Sequence, residues 1–252
     1  YMTMKKKLFL LDAYALIYRA HFAFIKNPRV NSKGLNTSAI FGFCNSLIEV
    51  INNHEPSHLA VVFDPPGGSN REGVFEDYKA NRQQMPEDIR NCIPYIFELL
   101  KAMNIRVEME AGYEADDLIA TLAKQAEKKG FTTYMMTPDK DFGQLVSDNI
   151  FIYKPGRGGN PSEILGPKEV CTKFEIDRPE QVIDILGLWG DAVDNIPGVP
   201  GIGEKTAKKL IGHYGSVENL LANSADLKGK QKENVENYSE QALISKQLAT
   251  II

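Results

Sequence analysis

The sequence predicts an α/β fold with a mostly parallel sheet, followed by a smaller, all-helical unit. Three observations predict it. Short β-rich runs alternate with helical patterns, that alternation stops after about Pro167, and a Gly- and Pro-rich run joins the short helical patterns that follow. With 252 residues, 43% of them hydrophobic and 25% charged, the chain can build a sizeable core and is too apolar for wholesale disorder.

The first strand run is 8–11, Leu-Phe-Leu-Leu, closed by Asp12. In 37–51, Ile40, Phe43, Cys44, Leu47, Ile48 and Ile51 recur at the spacing of a helix with one buried face. A second strand run, 59–63, ends at Asp64, and the segment 65–87 after it is polar, charged and poor in aliphatics. Ile89, Cys92, Ile93, Ile96, Leu99, Leu100 and Met103 mark another helix, with Pro94 expected to kink it. Leu118, Ile119, Leu122, Ala123 and Ala126 mark a third, stopped by Gly130. Strand runs at 132–136 and 150–153 follow, then a loop at 155–161, Pro-Gly-Arg-Gly-Gly-Asn-Pro.

Several classes are excluded. The apolar runs are too short to cross a bilayer, and Lys5, Lys6 and Lys7 precede only a brief apolar run, unlike a signal peptide. Cys44, Cys92 and Cys171 lie far apart and the four histidines form no ligand motif, which argues against soft-metal chemistry and suits a reducing cytosol. The net charge of −4 argues against DNA binding by bulk positive charge. Carboxylates gathered around cations would reverse that argument locally.

Three of the four strand runs are followed by aspartates: Asp12, Asp64, and Asp139 with Asp141. The carboxyl ends of strands form the ligand edge of an open α/β sheet, so these acids would converge there. Each alone reads equally as a helix cap or turn former. Jointly they would repel without a cation, and an all-oxygen donor set points to Mg²⁺ or Mn²⁺. Glu114, Asp116 and Asp117 open the third helix; an acidic first turn complements the helix dipole, but this accounts for one or two acids more easily than three. Asp191 and Asp194, after a helical pattern, bring the candidate ligands to nine.

Two segments could hold DNA. Residues 196–209 resemble a helix-hairpin-helix hairpin: Gly198, Gly201 and Gly203 would let backbone approach a phosphate, the next helix start (Lys205, Thr206) would bind it, and Lys208 and Lys209 add charge. An ordinary helical connection with solvated lysines is the alternative. In the polar segment, Arg71, Tyr78, Lys79 and Arg82 form a basic patch in which Tyr78 could stack on a base, or a solvated surface loop.

The motifs Leu10-Leu11-Asp12, Val62-Phe63-Asp64, Tyr78-Lys79-Ala80-Asn81-Arg82, Tyr113-Glu114-Ala115-Asp116-Asp117, Thr137-Pro138-Asp139-Lys140-Asp141 and Gly190-Asp191 through Gly203-Glu204-Lys205-Thr206-Ala207 together resemble the 5′ nuclease domain of bacterial DNA polymerase I, in the flap-endonuclease superfamily. The resemblance implies a PIN-like core with a helical arch (1–170, arch about 65–87) and a helix-hairpin-helix unit (171–252). It gives the nine acids metal-site roles, places Arg71, Tyr78, Lys79 and Arg82 at the arch base against the scissile phosphate, and implies K⁺ within the hairpin. One departure is Ser69-Asn70-Arg71-Glu72-Gly73, where the family usually carries a Thr-Phe-Arg-His-Glu-like stretch.

The implied activity is hydrolysis of DNA near a 5′ flap or a 5′ end at a duplex junction, in primer removal and repair, by a monomeric, cytoplasmic bacterial protein. The apolar ending Leu248-Ala249-Thr250-Ile251-Ile252 suggests a piece linked to a polymerase. The competing readings are an inactive DNA-structure-binding module, disfavoured by the full acid set, and a PIN-type ribonuclease, disfavoured by the hairpin.

Overall fold

Local sequence and strand chemistry account for most elements of the structure, a computed structural model that describes residues 6–156 and 159–252. In chain order they are β1 (Lys7–Asp12), α1 (Ala13–Ala23), α2 (Ser38–His54), β2 (His58–Val62), α3 (Glu87–Ala102), β3 (Arg106–Glu108), α4 (Ala115–Lys128), β4 (Thr132–Met136), β5 (Ile150–Lys154) and β6 (Glu163–Leu165). The helices α5 (Pro167–Phe174), α6 (Val182–Trp189), α7 (Glu204–Tyr214), α8 (Val217–Ala222), α9 (Gly229–Asn237) and α10 (Ser239–Ala249) complete the chain. Short 3-10 turns intervene, among them Asn70–Gly73 and Asp141–Leu145.

The six strands form one sheet in the order β3-β2-β1-β4-β5-β6. The β1–β2, β1–β4, β2–β3 and β4–β5 pairings are all parallel, as the alternation of strands and helices predicts. Because side chains alternate along a strand, Phe9, Leu11, Val61, Phe63 and Met136 share one face with the buried sides of α1, α2 and α3. Leu10, Ala60, Val62 and Met135 take the other face, and α4 packs against β1, β2 and β4. Phe9 stacks on Tyr134 at 4.9 Å and Phe63 on Phe97 at 4.5 Å.

The sequence expectations need four adjustments. Helix α1 and the three-residue strands β3 and β6 were not anticipated. The buried stripe of α2 is Ala39, Phe43, Leu47 and Val50, while Ile48 is exposed; the helix sits rotated towards its small residues. Helix α3 continues through Pro94, on its exposed side. The segment 65–87, expected to arch, carries the Asn70–Gly73 3-10 turn and no α-helix before Glu87, where α3 begins. Of the expected loop at 155–161, Arg157 and Gly158 lie outside the described residues.

By packing, the chain divides into two units: 1–67, 83–139 and 149–164 in the first, and 68–82, 140–148 and 165–252 in the second. The division takes 68–82 out of the α/β unit. In the helical unit α6 and α10 pack together around Val182, Ile185, Leu186, Ala242 and Leu248, and α6 also packs on α7 through buried Leu210 and Ile211. Arg71, buried, donates to the Thr250 carbonyl at 3.0 Å and so ties 68–82 to the end of α10.

Candidate metal-dependent active site

In the α/β unit, the neighbouring strands β2, β1 and β4 each deliver an aspartate at or just beyond the carboxyl end: Asp64, Asp12 and Asp139. Between β1 and β4 the strand order reverses, the place where open α/β sheets bind ligands. Asp12 also caps α1, its Oδ1 accepting from the Ala15 amide at 3.5 Å. Its other oxygen accepts from the Thr137 hydroxyl at 2.9 Å, and that hydroxyl in turn accepts from the Asp139 amide at 3.2 Å. Thr137, fully buried, therefore couples the β1 and β4 acids.

The electrostatics single out Asp12. Burial raises its carboxyl to about 7; the Thr137 hydroxyl opposes the rise, and the charges of Asp64 and Asp139 add to it. A carboxyl held where it resists ionisation, beside two more acids, calls for a cation to carry the balancing charge. The donor set is all oxygen, which fits a hard divalent ion. Among the described residues, no three Asp, Glu, His or Cys side chains already form a chelating set.

Asp64 faces the start of α4: its Oδ1 accepts from the Ala115 amide at 2.9 Å, a helix N-terminus stabilising an anion. The Glu114 amide donates to Asp117 Oδ2 at 3.1 Å, so Asp117 closes the first turn of its own helix from a buried position. Glu114 is buried as well, and Asp116 is half-buried on a different side of the helix. Asp12, Asp64, Glu114, Asp116, Asp117 and Asp139 all belong to this unit.

Asp141, Asp191 and Asp194 belong to the helical unit, where side-chain cations meet them. Lys140 pairs closely with Asp191 and lies 3.4 Å from Asp141. Asp191 also accepts from the Val193 amide at 2.8 Å, building the turn that the antiparallel Asp191–Ile196 bridge closes. Backbone contact makes this turn possible: a Cβ on Gly198 would stand 2.5 Å from the Gly190 nitrogen and 2.6 Å from the Trp189 carbonyl carbon. Asp194 pairs with Arg82 at 2.6 Å and with Lys79 at 3.8 Å.

Four expectations about DNA contacts are corrected. Tyr78 is 5% exposed, so its ring offers no face to a base; Lys79 instead lies over it at 4.9 Å. Arg71 is 4% exposed and anchors the segment through Thr250 rather than a phosphate. Gly198 is buried, its amide donating to Ser245 at 3.0 Å and its carbonyl accepting from Gln241 at 2.7 Å. Lys208 pairs with Glu204 at 2.8 Å and donates to the Lys173 carbonyl at 2.8 Å. Gly201, Gly203, Lys205 and Lys209 are exposed at the start of α7, and Thr206 is half-buried.

Sequence reasoning missed Thr137, Asn81, Asn195 and the pairing of Lys140. Their signal was present in Thr137-Pro138-Asp139-Lys140-Asp141 and in Asn81, inside quoted motifs whose acids and bases drew the attention.

Comparison with known proteins agrees with this architecture. Residues 7–175 match the family described as 5′–3′ exonuclease, N-terminal resolvase-like domain, and 177–252 match 5′–3′ exonuclease, C-terminal SAM fold. The chain is 45% identical to DNA polymerase I of Bacillus subtilis across 100% of its own length and 28% of that protein. It is 42% identical to a 5′–3′ exonuclease of Aquifex aeolicus, covering 86% of this chain and 73% of that one. It thus spans little more than a quarter of the polymerases it matches. Among solved structures, T5 5′-exonuclease with divalent metal ions (zinc) bound superposes with a TM-score of 0.77 at 22% identity, covering 96% of this chain and 89% of that one. The catalytic core of Rad2 in complex with DNA substrate gives 0.60 at 20% identity, over 99% and 75%.

Proposed function

The chain belongs to the 5′–3′ exonuclease family, and from that premise we propose that it hydrolyses DNA phosphodiesters at a 5′ flap, or at a 5′ end beside a duplex, with divalent metal ions. One observation carries the reading: Asp64, Asp12 and Asp139 stand at adjacent strand ends where the strand order reverses, with Asp12 raised to about 7 by burial and by its two acidic neighbours.

Asp12, Asp64 and Asp139, with Glu114, Asp116 and Asp117, are the residues to hold Mg²⁺ or Mn²⁺; Asp141, Asp191 and Asp194 are the candidates from the helical unit. Such an ion, when bound, lowers the pKa of water and stabilises charge on a phosphoryl oxygen. Thr137 holds Asp12 in place through its hydroxyl. Lys79 and Arg82 supply positive charge for the phosphate, where charge develops during hydrolysis. Lys205, Lys209 and the exposed amides at the start of α7 grip the duplex backbone, aided by the helix dipole. K⁺ at 198–203 belongs to the same reading; the Gly198 and Pro200 carbonyls there also accept from Gln241 and Asn234.

In the cell the domain would serve primer removal and repair, joined to a polymerase in the bacterial cytoplasm. Among the described residues no helix is long and apolar enough to cross a membrane. The deciding experiment incubates labelled 5′-flap DNA, blunt duplex and RNA with Mg²⁺ or with chelator, beside Asp12→Asn and Asp116→Ala controls. Chelator-sensitive cutting near the flap junction is expected, lost in both variants. Cutting that survives chelator, or preference for RNA, would reject the reading.

A further inference from the structure

Lys79 and Arg82 act on a phosphate only if something aims them. Both sit on an irregular turn of 77–82, which by itself could not fix two long side chains. The structure shows what holds it. The Lys79 amide donates to the Asp194 carbonyl at 2.9 Å. Asn195 Nδ2 donates to the Asp77 carbonyl at 2.6 Å, and Asn81 Nδ2 donates to the Ala192 carbonyl at 2.7 Å. The Asp194 carboxylate completes the set by pairing with Lys79 and Arg82. Two turns, 77–82 and 191–196, are thus fastened by reciprocal contacts within one unit.

Both turns carry a non-glycine residue in the left-handed region, Lys79 at φ +57° and Asn195 at φ +57°. For lysine that conformation costs free energy, and it persists where surrounding contacts determine it. Asparagine tolerates it better, because its short amide bonds nearby backbone. At Asn195 the same φ sends the amide across to the opposite turn. Strain at Lys79 and fastening by Asn195 therefore meet at the pair that carries the phosphate charge.

We propose that Asn195, with Asn81 opposite, is a positioning residue for Lys79 and Arg82: it locks the 77–82 turn onto the 191–196 turn so that the two cations meet the scissile phosphate in one orientation. The inference rests on the nuclease reading above and adds two residues to it. Neither asparagine touches the substrate. Their contribution passes through the two cations.

The test uses N195G, which keeps the left-handed backbone accessible and removes the amide, beside N195A, which also strains the backbone. Hydrogen exchange on the DNA-free chain is expected to rise at the 77–82 amides in both variants. Single-turnover cutting of labelled 5′-flap DNA in Mg²⁺ should fall about tenfold in N195G, while the Kd for that DNA changes less than about twofold. In a K79A/R82A background, N195G should cause no further loss of rate, because the groups it aims are gone. Wild-type protection of 77–82 in N195G overturns the proposal, as does an undiminished tenfold loss in the double-alanine background. A wild-type chain that cuts no DNA fails the nuclease reading instead, and the exchange arm still decides whether Asn195 fastens the turn.

Discussion

Thr137 Oγ1 donates to Asp12 Oδ2 at 2.9 Å, joining the acid that ends β1 to the residue that follows β4. The bond opposes the rise that burial imposes on Asp12, and its removal should let that rise go further. A bond to an ionised carboxylate is worth about 1.5–3 kcal/mol and favours the charged form. Thr137→Val should therefore move the acidic limb of the pH–rate profile upward, while Thr137→Ser keeps it in place. Unchanged profiles in the valine variant would remove Thr137 from the site.

The raised Asp12 carboxyl also links cation binding to proton release. Between the ordinary value of 3.8 and about 7, the folded chain holds a proton that the unfolded chain has given up. This group's contribution to stability is therefore present at low pH and is lost as pH rises through that window. A divalent ion needs the ionised form, so binding Mn²⁺ at pH 6 should release close to one proton, falling towards none by pH 8. Calorimetry in two buffers of different ionisation enthalpy measures the number. Binding at pH 6 without proton release would place the ion away from Asp12.

How much of this was legible in the sequence depends on how each feature is encoded. Asp12, Asp64 and Asp139 were readable because each follows a β-rich run, and a parallel sheet puts such ends on one edge. Strand β3 was not, because Arg106-Val107-Glu108 is an edge strand of only three residues, too short for its single apolar position to mark it. The α2 stripe was misjudged since Ala39 and Val50 take core places that Ile48 was expected to fill. The fates of Arg71 and Lys208 hinge on partners distant in sequence: Thr250 is 179 residues from Arg71, and Lys173 is 35 residues from Lys208. Composition labels such residues basic or aromatic. Only packing says whether they face water.

The helical unit has an ionic clasp with an unequal pair of acids. Lys246 Nζ reaches Asp184 at 2.6 Å and Glu218 at 2.7 Å, joining α10 to α6 and α8. Burial alone would lower Lys246, but its bonds to Asp184 and Glu218 outweigh that and hold its ammonium above the usual lysine value of 10.5. The ammonium side of the clasp is therefore present below pH 10.5 and is lost at more alkaline pH, while the bond to Lys246 holds the Glu218 carboxyl below its usual value, so that arm is lost as pH falls into the acid range. Asp184 is 5% exposed and also accepts from the Val217 amide, so Lys246→Met strands a buried charge and should cost about 3–5 kcal/mol in urea unfolding. The Glu218 side chain is 56% exposed, and Glu218→Gln should cost under about 1 kcal/mol. Equal losses from the two variants would show that burial does not set the weight of each partner.

Two neighbouring lysines of α7 should behave differently towards duplex DNA despite identical chemistry. Lys209 is exposed, whereas the Lys208 side chain is 12% exposed and holds Glu204 and the Lys173 carbonyl. A lysine that neutralises a phosphate releases about one counterion, so its loss lowers the slope of log K against log salt by about one. Lys209→Ala should weaken binding to a blunt duplex and reduce that slope. Lys208→Ala should leave the slope in place and lower thermal stability instead, because α7 loses its tie to the end of α5. Filter binding in Ca²⁺ across a salt series separates the two. If Lys208→Ala flattens the slope as much as Lys209→Ala, the Glu204 pair opens on the duplex and both lysines grip the backbone.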